Sequence, residues 1–287
     1  VGGWYDARRS TPREGIITGA SRLDAYLARI GYDGPRAPTL ATLRGIVAAH
    51  ATSIPFENID VLLGRGASLA EDALADKLVT RKRGGYCFEH NTLLMRALTA
   101  LGFTVEGLGA RVLWGRADPS PGPRTHMLLR VTLPEGVYLA DVGFGGVTLT
   151  APIRFVAGIE QETPHERHRL VHRGDELELQ ARLDGDWTPL YHAATPAQSP
   201  IDFEVGNWFT ATYPNSLFVN NLLCARPDPD CRYALLNDRF TIRRRGAMPE
   251  RRVLENADAL SEVLARDFQR PTPAADVAQI WAKVAGK

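Results

Sequence analysis

Residues 126–143 read HMLLRVTLPEGVYLADVG. Two apolar, β-branched runs, 126–133 and 137–144, flank Pro-Glu-Gly, a turn cluster, which is the pattern of an antiparallel hairpin. Runs of the same kind lie at 105–113 before it and at 167–172, 176–183 and 187–190 after it, broken by Arg-Gly-Asp and Asp-Gly-Asp. Short strands joined by tight turns predict an antiparallel barrel or sandwich rather than alternating βαβ units.

Upstream the period changes to that of a helix. SRLDAYLARIGY, residues 21–32, sets Leu23, Tyr26, Leu27 and Ile30 on one face, with Ser21 as the expected cap. TLATLRGIVAAHATSI (39–54) and AEDALADKLV (70–79) repeat that period. A fourth helix follows Gly84-Gly85, with Leu94, Ala97, Leu98 and Leu101 in a stripe and Gly102 to end it. Beyond residue 200 the pattern is mixed, with a strand at 239–244 and helices at 258–267 and 274–284. The expected fold is α+β and multidomain: a helical bundle over 1–102, an antiparallel β-barrel-like domain over 103–205, and an α/β lid over 206–287. Residues 1–20, Gly- and Arg-rich and without an initiator Met, read as an appended or processed extension.

Hydrophobic content of 44% and charged content of 23% belong to an ordinary globular protein, and 287 residues allow two or three domains. A net charge of +1 argues against nucleic acid or an anionic membrane as the main partner. No apolar run reaches the ~18 residues needed to span a bilayer. Residues 1–15 show no apolar signal core. Three cysteines do not make a disulfide framework, so a reducing cytoplasm is the expected location. Cys224 and Cys231, in CARPDPDC, read as bystanders, the alternatives being a local disulfide or half a zinc site.

Cys87 stands apart. In RGGYCFEHN (83–91) it falls in the first turn of its helix, where the positive end of the helix dipole lowers a thiol's pKa. The glycines before it allow a sharp turn and close approach of a substrate. On these residues alone a nucleophile and a buried structural cysteine both remain open. His90 lies one turn along the same helix. His165, His168 and His172 alternate within HERHRLVH but have no fourth partner nearby, so no metal site is assigned.

RTHMLLRV and YLADVGFGG follow the cysteine in order, and IPFENIDVLLGR, ARVLWG and NWFTATYPNSLF complete the series. Together these blocks resemble the arylamine N-acetyltransferases of bacterial type, from about Leu23 to the C-terminal helices. The resemblance implies a cysteine-protease-like core with a Cys87–His126–Asp141 triad, His126 being preferred to His90 as the base. It also implies ping-pong transfer of acetyl from acetyl-CoA, a cosubstrate rather than a tightly bound cofactor, to an arylamine, arylhydrazine or arylhydroxylamine. Trp114, Thr125, Phe144 and Gly145 match positions near CoA, and Phe56, Val112 and, more loosely, Phe209 match the acceptor pocket. LYHA (190–193) departs from relatives by lacking an aromatic after its tyrosine. Arg243 to Gly246 reads as solvated surface. The rival readings are an amide synthase with a non-CoA acyl donor, a cysteine hydrolase, and a non-catalytic zinc-binding or scaffold protein with Cys87 and His90 as ligands.

Two structural expectations follow. Glu57 and Arg83 should form a buried ion pair beneath the Cys87 helix. His126 and Asp141, each on a strand, must share a face of the hairpin. A three-residue loop, 134–136, puts them on opposite faces. A four-residue loop pairs Thr132 with Val137 and puts them on the same face, as a bulge would.

Overall fold

A computed structural model of the chain describes residues 19–116 and 122–287, so nearly all of the extension read at 1–20 lies outside the described residues. The helical part comprises α1 (Gly19–Ile30), α2 (Leu40–Ser53), a two-residue strand β1 (Phe56–Glu57), short α3 (Ile59–Leu62), α4 (Glu71–Leu74) continuing into a π-helical turn at Ala75–Thr80, and α5 (Cys87–Ala100). Thr39 caps α2 through its hydroxyl. Ser21 is no cap, because α1 begins two residues before it.

Eight strands then build the larger sheet: β2 (Thr104–Val112), β3 (His126–Leu133), β4 (Gly136–Ala140), β5 (Ile153–Arg154), β6 (Glu160–Glu162), β7 (Arg167–Arg173), β8 (Glu176–Leu183) and β9 (Asp186–Ala193). Their order is β5-β4-β3-β2-β9-β8-β7-β6, antiparallel throughout, in a nearly closed, barrel-like curl. Leu108, Leu128, Leu139, Leu170, Leu179 and Leu190 fill its interior. The other face of β3 offers Met127, Leu129 and Val131 to the helices, where Leu43, Ile46, Phe88, Leu94 and Leu98 meet them.

The remainder holds α6 (Pro200–Thr212), α7 (Leu217–Asn220), β10 (Leu223–Asp228), β11 (Cys231–Leu236), β12 (Arg239–Arg244), β13 (Glu250–Val253), α8 (Ala257–Arg266) and α9 (Ala274–Val284). Its sheet runs β1-β10-β11-β12-β13, so an edge strand comes from the first part of the chain. Phe240, Leu264, Phe268 and Ile280 centre the third core. The architecture is α+β, with helices and two separate antiparallel sheets. No helix among the described residues is long and apolar enough to cross a membrane.

The hairpin register has the expected parity and a different loop. Thr132 pairs with Val137, and Leu133 also pairs with Gly136, leaving a two-residue turn at Pro134-Glu135. Gly136, at φ +141°, reaches a conformation that other residues avoid, so pairing starts one residue sooner than the four-residue loop allowed. Asp141 is not inside a strand, since β4 ends at Ala140. Its Oδ1 accepts the Gly143 N–H at 3.0 Å and turns the chain. Cys224 and Cys231, both free, lie on neighbouring strands of one hairpin, in register with Leu235 and Asp228 respectively.

Three buried histidines make this fold acid-sensitive. Burial pushes His90 and His168 down to about 4 and His50 well below its ordinary value. The unfolded chain binds these protons near pH 6.5 and the folded chain does not. The stability they contribute is therefore full above about pH 6.5 and is lost as pH falls toward 4. His90 and His168 are worth roughly 3 kcal/mol each on this basis. Urea midpoints should fall steeply between pH 6.5 and 4.5, and a flat profile there would contradict neutral burial.

Candidate active site

Cys87 opens α5 after a turn that only glycine permits: a Cβ on Gly84 would stand 2.2 Å from the Pro55 carbonyl oxygen. Asn91, one turn further along α5, ties the helix to the sheet. Its Nδ2 donates to the Met127 carbonyl (2.7 Å) and to Asp141 Oδ1 (3.0 Å), and its Oδ1 accepts the Val142 N–H (3.2 Å). A Cβ on Gly143 would meet Cys87 Cα at 2.8 Å, so its absence lets the segment after β4 lie against the first turn of α5.

His126, the first residue of β3, donates from Nε2 to Asp141 Oδ2 at 2.7 Å. Nδ1 is then the ring nitrogen not engaged by Asp141, and Cys87, whose Sγ lies 3.5 Å from the Thr125 carbonyl, lines one cleft with His126. Every acceptor of Asp141 is used. Oδ2 also receives the Tyr191 hydroxyl at 3.0 Å, and Oδ1 receives Asn91 and Gly143. Burial alone would neutralise this carboxyl, but His126, Asn91 and Gly143 hold it below the usual carboxylate range. Burial likewise opposes charge on His126, yet Asp141 and then Cys87 raise it to about 10. The resting pair is therefore imidazolium and carboxylate. Neither Asn91 nor Tyr191 was found from sequence, although both lie in quoted stretches; only the folded sheet brings Tyr191, on β9, to Asp141.

His90, the other candidate base, turns away from Cys87 toward His50 and Pro55. His165 contacts Thr150 and the Asp228 carbonyl, and His168 the Glu166 carbonyl. Among the described residues no group of three or more His, Cys, Asp or Glu is arranged to hold a metal.

Beneath the Cys87 helix the expected Glu57–Arg83 pair is part of a larger cluster. Arg83 Nη2 is 3.8 Å from Glu57 Oε1 but 2.7 Å from Asp60 Oδ1, its close partner. Glu57 is nearer to Arg270 Nε, at 3.3 Å, and accepts the Ile59 N–H. The centre is Lys77, whose Nζ lies 2.8 Å from Glu89 Oε1 and 3.1 Å from Asp60 Oδ2. Glu89 Oε2 in turn accepts the Tyr86 N–H that begins α5. Burial works against charge on Lys77, and Glu89, Glu57 and Asp60 overcome it, raising its pKa to about 12.

A cleft of about 850 Å³ opens over Cys87 and His126. Phe56, Val112, Trp114, Thr125, Phe144 and Gly145 all line it, so six of the seven residues expected near donor or acceptor come together there. Trp114 stacks on Phe144 at 5.7 Å, and Phe144 meets the His126 ring edge-on at 5.2 Å. Phe209 does not line this cleft. The turn of α6 aims it at a second cavity of about 280 Å³, beside Phe88 and Phe203, and stacks it on Tyr213. Phe218, on α7, lines the cleft instead and faces Phe56 at 6.2 Å. Arg243 and Arg244 pair with Asp184 and Glu250 on the surface.

Comparison with known proteins bears on this geometry. The family model described as N-acetyltransferase matches residues 39–273. An arylamine N-acetyltransferase of Mycolicibacterium smegmatis is 49% identical over 251 residues, covering 86% of this chain and 91% of that protein. That of Escherichia coli K12 is 42% identical over 247 residues, covering 86% and 88%. The structure of Mycobacterium marinum arylamine N-acetyltransferase in complex with CoA superposes with a TM-score of 0.87 at 42% identity, covering 91% of this chain and 99% of that one.

Proposed function

The chain belongs to the arylamine N-acetyltransferase family, and from that membership we propose a ping-pong acetyl transfer carried by Cys87, His126 and Asp141. Acetyl-CoA is the cosubstrate and an arylamine the acceptor; arylhydrazines and arylhydroxylamines extend the proposed acceptor class. The single observation that carries the mechanism is His126 held 2.7 Å from a fully hydrogen-bonded Asp141, in one cleft with Cys87.

In this reading Cys87 sulfur attacks the thioester carbonyl, and CoA leaves as a thiol, taking a proton from His126. The amine then attacks acetyl-Cys87, His126 accepts the amine proton, and the sulfur is released. Thioester exchange is nearly balanced in energy because one thiolate replaces another. Asp141 keeps Nε2 occupied, so that Nδ1 alone serves the reaction. We read the nucleophile-bearing helix, packed on a strand that begins with the base, as a cysteine-protease-like core. The division at residues 102 and 205 and a cytoplasmic location belong to the same reading.

The cleft supports a phosphorylated donor. Among the described residues no carboxylate lines it, and besides His126 its charged lining is Arg239, Arg251 and Arg252. Thr241 pairs with Arg251 and Arg239 with Val253, so Arg239 and Arg251 share a face of the β12–β13 ribbon at the mouth. An apolar channel running from a thiol to arginines matches a pantetheine arm followed by phosphates. The double variant Arg239→Gln, Arg251→Gln should raise KM for acetyl-CoA about tenfold and leave S-acetylpantetheine, which has no phosphate, unaffected. Equal losses with both donors would remove the arginines from phosphate binding.

Intact mass after mixing with acetyl-CoA alone tests the function. One acetyl group should appear on Cys87 and vanish when an arylamine is added, and Cys87→Ser should stay unmodified. Hydrolysis of acetyl-CoA without an amine, at the rate of transfer, would identify a hydrolase instead.

A further inference from the structure

Three helices of the first part share a buried chain of hydrogen bonds that the transfer mechanism does not use. Tyr26 on α1 meets His50 Nδ1 on α2 at 2.9 Å. His50 Nε2 meets His90 Nδ1 on α5 at 2.9 Å, and His90 Nε2 meets the Pro55 carbonyl at 3.2 Å. Both imidazoles are fully buried and Tyr26 nearly so.

The last partner sets every proton in the chain. A carbonyl only accepts, so His90 Nε2 carries hydrogen. Burial keeps the ring neutral, so Nδ1 accepts and His50 Nε2 must donate. His50 is neutral for the same reason, so its Nδ1 accepts from the Tyr26 hydroxyl. The chain runs one way, from Tyr26 to Pro55, with no proton to spare.

Its end point is functional. Pro55 precedes Phe56, and the Pro55 carbonyl also takes the Gly85 N–H at the longer distance of 3.4 Å. His90 lies parallel to the Phe56 ring, with centroids 6.4 Å apart. Phe56 forms the cleft wall with Phe218. We propose that His90 is a positioning residue for the aromatic acceptor: by donating to Pro55 it holds Phe56 where an acceptor ring packs, while leaving acetylation of Cys87 to other groups. This rests on the acetyl-transfer reading above.

The two half-reactions separate the roles. In a glutamine side chain the amide nitrogen reaches the place of His90 Nε2, whereas asparagine reaches only that of Nδ1. His90→Gln should retain the wild-type KM for an aromatic hydrazine, and His90→Asn should raise it about five- to tenfold, the worth of one buried hydrogen bond. Both should be acetylated by acetyl-CoA at the wild-type rate. Both should also pass acetyl to hydrazine itself, which has no ring to reach Phe56, as the wild type does. Tyr26→Phe, which deletes only the far hydroxyl, should shift the aromatic KM less than His90→Asn.

Equal aromatic KM values for His90→Gln and His90→Asn would overturn the role of the Pro55 bond. An equal loss in acetylation and in transfer to hydrazine would show a merely structural residue. A wild-type protein that forms no acetyl-Cys87 would instead overturn the acetyl-transfer reading itself.

Discussion

Asp141→Asn should be acetylated on the order of 10³- to 10⁴-fold more slowly than the wild type by single-turnover mass measurement, with its circular dichroism unchanged. All four partners of this carboxylate are donors: His126 Nε2 and Tyr191 at one oxygen, Asn91 Nδ2 and Gly143 N–H at the other. An amide has only one oxygen. Whichever way it is placed, its NH₂ faces two donors and leaves them unpaired, at about 1 to 3 kcal/mol each. Turned toward His126, the NH₂ selects the wrong tautomer; turned away, it still removes the charge that raises His126. An acetylation rate equal to the wild type would make Asp141 structural and end the triad assignment.

Lys77→Ala should cost about 3 to 5 kcal/mol and lower the melting temperature by on the order of 10 °C. Its ammonium stands between Glu89 and Asp60 with its side chain only 10% exposed. Removing it leaves three buried carboxylates, with Glu57, to share Arg83 and Arg270. Arg83→Ala should cost less, because Arg270 remains beside Glu57 and Lys77 remains beside Asp60. The double variant Lys77→Met, Glu89→Gln should recover part of the loss, since it removes opposite charges together. Calorimetry at pH 7 decides. A Lys77→Ala protein with wild-type stability would mean that water already reaches the cluster.

Local pattern carried much of the fold. The strand at 126–133, the strand at 176–183 and the helix at 274–284 coincide with β3, β8 and α9 because amphipathic periodicity there agrees with the final packing. The β10–β11 hairpin did not show itself. CARPDPDC carries two prolines and two aspartates, a composition typical of turns, yet Pro227 lies within β10. Only Cys224 and Ala225 are covered by β1, so Pro227 sits where β10 is open on one side, as an edge strand tolerates. α6 went unread although Ser199, Pro200 and Asp202 give a helix start. Its exposed Ile201, Val205 and Trp208 obscure the usual division into apolar and polar faces.

The order Cys87, His126, Asp141 was legible through family-like blocks, and the parity of the hairpin through alternation. The supporting residues were not. Lys77 looked like an ordinary charge on an amphipathic helix, and only tertiary packing sets it among three carboxylates. Phe218 was passed over in favour of Phe209 because nothing local distinguishes two phenylalanines nine positions apart. The direction in which α6 and α7 present them decides.

The edge strand β1 has a bearing on biosynthesis. Phe56 and Glu57 complete their pairing only against Ala225 and Cys224, and Glu57 meets Arg270 across 213 residues of chain. Lys283 then donates to the Leu62 carbonyl. A ribosome releases Cys87 long before it makes these partners. Until then Glu57 lacks one of its cations, and Phe56, which lines one cleft with Cys87, lacks its sheet. Residues 56–57 therefore gain their last partners from the carboxyl-terminal segment, and a prematurely terminated polypeptide lacks the strand and the cation that complete them.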